Sequence, residues 1–278
     1  MPEFVGSLRK MRAVLPAQSA LPVSYDMVLD DQYIPLADVL GKPMRLHFSG
    51  TISCTHCGRN TKKSFSQGYC YPCFQKLAQC DRCIMSPELC HFDQGTCREP
   101  DWAESHCMTD HIVYLANSSG LKVGITRATQ LPTRWIDQGA VAAVPFARVS
   151  TRQQAGLLEV AMKKYLADKT NWRLMLKNEQ PDVDLIEARS AVALQIDSDL
   201  TSLQQQFGLQ AVRPVDDVAV THIQYPVARY PSKIVSLNAE KVPAVEGELQ
   251  GIRGQYLLLD TGVINLRKYT GYQVSFSF

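Results

Sequence analysis

His111-Ile-Val-Tyr-Leu-Ala116, Asn117-Ser-Ser-Gly120 and Leu121-Lys-Val-Gly-Ile125 read in succession as a strand, a turn and a returning strand. The first and last runs hold the β-branched and aromatic residues that suit a pleated, buried surface. Asn, Ser and Gly between them are turn formers, so the three pieces predict a β-hairpin. A helix is expected next, over Thr151 to Ala167, where Leu158, Ala161, Met162, Tyr165 and Leu166 recur at helical spacing. Thr151 can cap its start. Two strands followed by a helix predict a small α/β module, over residues 111–180, inside a chain of α+β class.

Upstream of this hairpin the chain changes character. All nine of its cysteines fall between Cys54 and Cys107. Cys54-Thr-His-Cys57 and Cys70-Tyr-Pro-Cys73 are two Cys-x-x-Cys pairs at a zinc-ribbon separation, and four thiolates suit tetrahedral zinc. Four protein ligands leave no place for a reacting water, so this zinc is expected to be structural. Cys80-Asp-Arg-Cys83 is a further pair and predicts a second site. Its remaining ligands are open among Cys90, His91, Cys97, His106 and Cys107, and an iron–sulfur cluster is an alternative to zinc there. His56 lies inside a pair whose four positions are already filled, so it is expected to be exposed or hydrogen-bonded. Residues 51–110 carry few large aliphatic side chains, so metal is needed to hold them.

The two ends of the chain look β-rich. Residues 1–50 contain short apolar runs at Phe4 to Leu8, Tyr33 to Leu36 and Met44 to Phe48. Residues 212–278 contain Glu248 to Leu266, read as two strands joined at Asp260-Thr-Gly262. These ends are expected to pair into one small β-domain. Between them, residues 181–211 are read as one long helix from Asp182 to Phe207, with Gly208 ending it.

Composition sets limits. Apolar residues make up 45%, charged residues 20%, and the net charge is +2, which are ordinary values for a folded chain. So small a charge does not argue for nucleic-acid binding over the whole surface, and any such contact must be local. Arg59, Lys62, Lys63 and Phe65 form one such patch. No apolar run is long enough to span a membrane. Cys-x-x-Cys pairs in a chain without an export signal argue for thiolates in a reducing compartment, so the cytoplasm is expected.

From Ile112 to Glu159 the chain resembles the GIY-YIG nuclease family. Ile112-Val-Tyr-Leu115 stands where that family has its first motif, and Lys122-Val-Gly-Ile-Thr126 where it has its second. Arg134 follows, and Glu159 lies on the later helix. The tyrosine of the second motif is Lys122 here. The whole arrangement is also similar to an uncharacterised bacterial family that joins a Cys-rich segment to such a module. The resemblance implies that Tyr114 activates or orients water and that Lys122 positions a phosphate. It further implies that Arg134 or Arg127 stabilises phosphate charge and that Glu159 holds Mg²⁺ or a similar hard cation. Gly124 would let the backbone pass close to substrate. Trp135, Trp172, Arg173 and Asn171 are further candidates in the same module. The activity so implied is metal-dependent cleavage of DNA or RNA. The alternatives are a nucleic-acid-binding protein without catalysis and a zinc-stabilised scaffold for protein interactions.

Overall fold

The structure is a computed structural model that describes residues 2–18, 20–216 and 218–278. Along the chain, β1 (Glu3–Ser7), β2 (Arg12–Val14), β3 (Ser24–Leu29) and β4 (Gln32–Pro35) lead into the long β5 (Pro43–Ser53) and the short β6 (Asn60–Thr61). Three short helices follow in the Cys-rich segment: α1 (Tyr71–Lys76), α2 (Arg82–Met85) and α3 (Pro100–His106). The expected hairpin is β7 (His111–Asn117) and β8 (Leu121–Arg127), followed by α4 (Thr133–Asp137), β9 (Ala142–Val149) and α5 (Arg152–Met162). Then come α6 (Trp172–Lys177), α7 (Leu185–Gln195), α8 (Asp197–Phe207), β10 (Val212–Pro214) and β11 (Thr221–His222). The chain ends in β12 (Ala244–Arg253), β13 (Tyr256–Leu259), β14 (Gly262–Asn265) and β15 (Tyr272–Ser277). The mixture of helices and antiparallel sheets makes the fold α+β.

The largest sheet runs β1-β15-β5-β12-β13-β14, with β6 paired to β5. Strands from both ends of the chain build it, with Glu3 opposite Ser277 and Arg45 opposite Glu246. The second sheet runs β10-β9-β7-β8, with β11 also on β9, and β2-β3-β4 form a third. No helix among the described residues is long and apolar enough to cross a membrane.

The apolar run that defines the hairpin is explained by the place of β7. It lies between β8 and β9, and every residue of it is buried. Successive side chains of a strand face opposite sides. Ile112, Tyr114 and Ala116 therefore enter a core shared with the terminal strands, including Leu249, Leu257 and Phe276. Val113 and Leu115 enter a second core with Leu158 and Met162 of α5 and Val192 of α7. The module is thus a sheet sandwiched between the terminal β layers and a helical layer.

Three expected elements differ in extent. The helix capped by Thr151 is present, with a full capping box to Gln154, but it ends at Met162. Beyond it the chain is drawn back along β8: Val123 donates its N–H to the Ala167 carbonyl at 2.9 Å. Tyr165 is consequently 48% exposed and not part of a core stripe. The long helix from Asp182 is two helices, capped at Asp184 and broken at buried Ile196. Asp197 and Asp199 just beyond the break suit a first helical turn, where acidic groups meet the positive end of the helix. Glu248 to Leu266 lies in three strands, because the chain also turns at Gly254-Gln255.

Candidate functional site

The first cysteine group is built by the β5–β6 hairpin and the start of α1. Thr55 N–H bonds to the Gly68 carbonyl at 2.8 Å, which ties the two Cys-x-x-Cys turns together. The ligand atoms of Cys54, Cys57, Cys70 and Cys73 all lie within 4.8 Å of one another. The Cys57 and Cys70 sulfurs are 3.7 Å apart. A tetrahedron of sulfurs at the usual zinc–thiolate distance has an edge of about 3.8 Å, so the group fits a four-coordinate ion. Burial opposes ionisation of Cys54. Backbone N–H donors from Cys57, Cys70 and His56 outweigh it and bring the thiol down to about 6. Cys73 is pushed up to about 12, by burial first and then by its three sulfur neighbours. Four sulfurs so close together need a cation to shed all their protons. No disulfide forms among the nine cysteines, and this four-sulfur group can hold a metal ion. His56 is exposed, outside the ligand set.

Cys80 is buried, and burial raises its thiol, with Cys54 adding to the effect. Burial also pushes Cys83 up to about 11, with Asp81, Cys90, Cys107 and Cys97 adding to it. The ligand atoms of Asp81, Cys83 and His91 lie within 4.8 Å of one another, so Cys83 is grouped with a carboxylate and an imidazole. The His106 ring stacks on Trp102 with centroids 4.2 Å apart, and its Nδ1 lies 2.9 Å from the Trp102 carbonyl oxygen.

In the module, Tyr114, Lys122, Arg134 and Glu159 come from four elements, β7, β8, α4 and α5, and act electrostatically on one another. Tyr114 is paired with Gly124, and Ala116 with Lys122. Cross-strand partners share a face, so Tyr114, Gly124 and Lys122 lie on one side of the sheet. Arg134 on α4 and Glu159 on α5 both lie in the field of the Tyr114 hydroxyl, the arginine favouring and the carboxylate opposing its ionisation. Lys122 feels Arg134, Glu159 and Asp168 together. Arg127, the other arginine considered, lies instead in the field of Cys107 and His111.

The geometry alters two expected roles. Tyr114 is wholly buried, and its hydroxyl donates to Gln138 Oε1 at 2.8 Å. Burial raises it to about 12 despite Arg134. The phenol therefore keeps its proton near neutral pH, and that proton is given to Gln138. Gly124 makes room for this ring rather than for substrate: a Cβ there would meet the Tyr114 hydroxyl oxygen at 2.6 Å.

Lys122 is 3% exposed, and burial lowers it to about 8, with Arg134 adding to the effect and Glu159 and Asp168 opposing it. The side chain of Glu159 is 13% exposed, and burial raises its pKa against the pull of Lys163. Lys163 Nζ sits 3.3 Å from Glu159 Oε2 and 3.2 Å from Asp168 Oδ2. A cationic place already exists between two carboxylates. Asp168 was not legible in sequence, because the helix expected through Ala167 hid the turn that brings it back. Lys163 was legible in principle, four residues beyond Glu159 on one helix face.

The remaining module candidates are structural. Trp135 is in the core, with its ring edge-on to Tyr114. Asn171 caps α6 by accepting from the Arg173 and Leu174 N–H groups. Trp172 stacks on Tyr256 with centroids 5.8 Å apart, and the Arg173 guanidinium lies 4.3 Å from the Trp172 ring centroid. Between the two cysteine pairs, Arg59, Lys62 and Lys63 are exposed, and Lys63 lies over Phe65.

Comparison with curated proteins and with solved structures finds no match. A family model described as "Protein of unknown function (DUF2797)" matches residues 41–274, from the long β5 through the metal group and the module to β15. That span is most of the chain, and the protein belongs to this family.

Proposed function

We propose that this protein binds zinc at Cys54, Cys57, Cys70 and Cys73 and cleaves phosphodiester bonds in nucleic acid at the β8 edge, using a divalent cation. One observation carries the reading: Tyr114, Lys122, Arg134 and Glu159, spread over four elements, share one electrostatic neighbourhood in the order the GIY-YIG resemblance implies.

Hydrolysis requires water oxygen to add to phosphorus, one P–O ester bond to break, and the departing oxygen to gain a proton. A bound Mg²⁺ would polarise the phosphate and lower the pKa of water. Glu159 and Asp168 are the carboxylates that would hold it, at the place Lys163 now bridges. Lys163 is one-third exposed and can swing toward solvent. Arg134 offers a fork of donors to phosphate oxygens. Lys122 adds positive charge below about pH 8. Tyr114 keeps its own proton, donated to Gln138. Arg59, Lys62 and Lys63 are exposed cations that would meet phosphates of a bound strand.

The Glu159–Lys163 pair favours a second reading, binding without cleavage, if Lys163 never leaves. Fluorescence anisotropy with labelled DNA and RNA hairpins separates these from a protein scaffold. The expected result is affinity that falls steeply with salt and weakens in Arg134→Ala. Absence of salt-dependent binding to any hairpin would end both nucleic-acid readings.

A further inference from the structure

The loop from Asp81 to His91 has almost no core of its own. Pro87 alone in it is buried, and Met85 is 85% exposed. Its secondary structure is two single turns, α2 and the 3₁₀ turn Pro87–Leu89. Burial on this scale cannot offset the entropy of ordering such a stretch. The loop is nevertheless the seat of α5. Arg152 Nη2 donates to the Ile84 carbonyl at 2.7 Å, and Gln153 Nε2 to the Cys90 carbonyl at 3.2 Å. One turn further on, a Cβ on Gly156 would meet the Pro87 Cβ at 2.6 Å and the Glu88 nitrogen at 2.7 Å. Something at the base of the loop must hold its shape.

Asp81, Cys83 and His91 stand at the two ends of this loop, with their ligand atoms within 4.8 Å of one another. Hydrogen bonds fix the state of the imidazole. The Thr96 hydroxyl donates its one hydrogen to the His91 carbonyl at 3.3 Å, so toward His91 Nδ1, at 2.7 Å, it can only accept. Nδ1 therefore carries the N–H of the neutral ring, and Nε2 is left as a lone pair. Nε2 stands 3.5 Å from Asp81 Oδ2. That is beyond the usual length of an N–H···O bond. Two acceptors so placed repel unless a cation lies between them. Nitrogen and oxygen ligands of one tetrahedral zinc ion are about 3.4 Å apart, which matches this gap. The carboxylate is itself held in place: Oδ2 takes Arg98 Nε at 2.8 Å, and Oδ1 takes the Arg82 N–H at 2.6 Å. Thr96, Arg98 and the Arg82 N–H thus grip the two side chains from outside, as the partners of metal ligands do.

We propose that Asp81, Cys83 and His91 bind a zinc ion of their own, distinct from that of the four-sulfur group. Thiolate, imidazole and carboxylate are all zinc donors, and the thiolate disfavours magnesium and calcium, which take oxygen. No fourth His, Cys, Asp or Glu among the described residues joins the group within the same distance, so a water completes the tetrahedron. The ion ties the start of the loop to its end and so sets the seat of the helix that carries Glu159. The site stands whether or not the module cleaves nucleic acid.

Zinc content of the full chain, by elemental mass spectrometry, tests this directly. Two ions per chain are expected. His91→Ala and Cys83→Ser should each lose one, while Cys90→Ser and Cys97→Ser keep both. X-ray absorption at the zinc edge of wild type needs no variant. It should show nitrogen or oxygen ligands at about 2.0–2.1 Å beside sulfur at about 2.3 Å. One ion per chain, with His91 protonated against Asp81 instead, would overturn the proposal. So would sulfur ligands alone at the zinc edge, retention of both ions in His91→Ala, loss of an ion in Cys90→Ser or Cys97→Ser, or iron in place of the second zinc.

Discussion

Burial of Lys122 has a cost that can be measured. The lysine is 3% exposed, and its pKa falls from 10.5 to about 8. The unfolded chain therefore binds more protons than the folded chain between those values, so stability rises with pH across that window. Below about pH 8 both states carry the charge, and the folded state bears the full penalty. Each pKa unit is worth about 1.4 kcal/mol, so the penalty is about 3 kcal/mol at pH 7 and about 1 kcal/mol at pH 10. Lys122→Met removes the titrating group while keeping an unbranched chain. Urea unfolding at pH 7 and pH 10 should show the variant gaining on wild type by about 2 kcal/mol more at the lower pH. A difference that does not change with pH, or grows toward pH 10, would refute the burial argument. A lysine held at such a cost fits a group retained for its charge rather than for packing.

Other perturbations have equally definite outcomes. Gly124→Ala should destabilise by about 1–3 kcal/mol, as read by urea unfolding, because its Cβ collides with a Tyr114 ring that cannot move. His111 is fully buried and donates Nδ1–H to the Thr109 carbonyl at 2.7 Å, and burial lowers its pKa from 6.5 to about 4. Its contribution is intact above pH 6.5 and lost as pH falls toward about 4, so His111→Phe should flatten that part of the stability profile. Chelation, or Cys57→Ser, should release the ion at the four-sulfur group and lower the melting temperature, since little else holds that segment. Tyr114→Phe should weaken catalysis without moving its pH optimum, because the phenol keeps its proton near neutral pH and gives it to Gln138.

The parts of the fold legible in sequence are those in which short-range chemistry agrees with packing. The β7–β8 hairpin follows from an apolar run, four turn formers and a second apolar run. The start of α5 follows from Thr151 and Gln154, which cap each other. The four-sulfur group follows from two pairs at ribbon spacing. Legibility fails where a distant contact overrides a local preference. The pull of β8 on Ala167 shortens α5 and brings Asp168 to Lys122. The group around Cys83 takes in Asp81 and His91, which the Cys-x-x-Cys spacing of Cys80 and Cys83 does not announce. The electrostatic coupling of Lys122 to Glu159 joins β8 to α5, which no local pattern encodes.

Cleavage of end-labelled DNA and RNA by the zinc-loaded protein, with and without Mg²⁺, is the most direct test of the phosphodiesterase reading. Wild type should cut at least one of these substrates only when Mg²⁺ is present. Glu159→Gln, with zinc content and melting temperature unchanged, should be slower by about 100-fold or more. Equal rates in wild type and Glu159→Gln, or no cleavage of any substrate by fully metallated wild type, would contradict it.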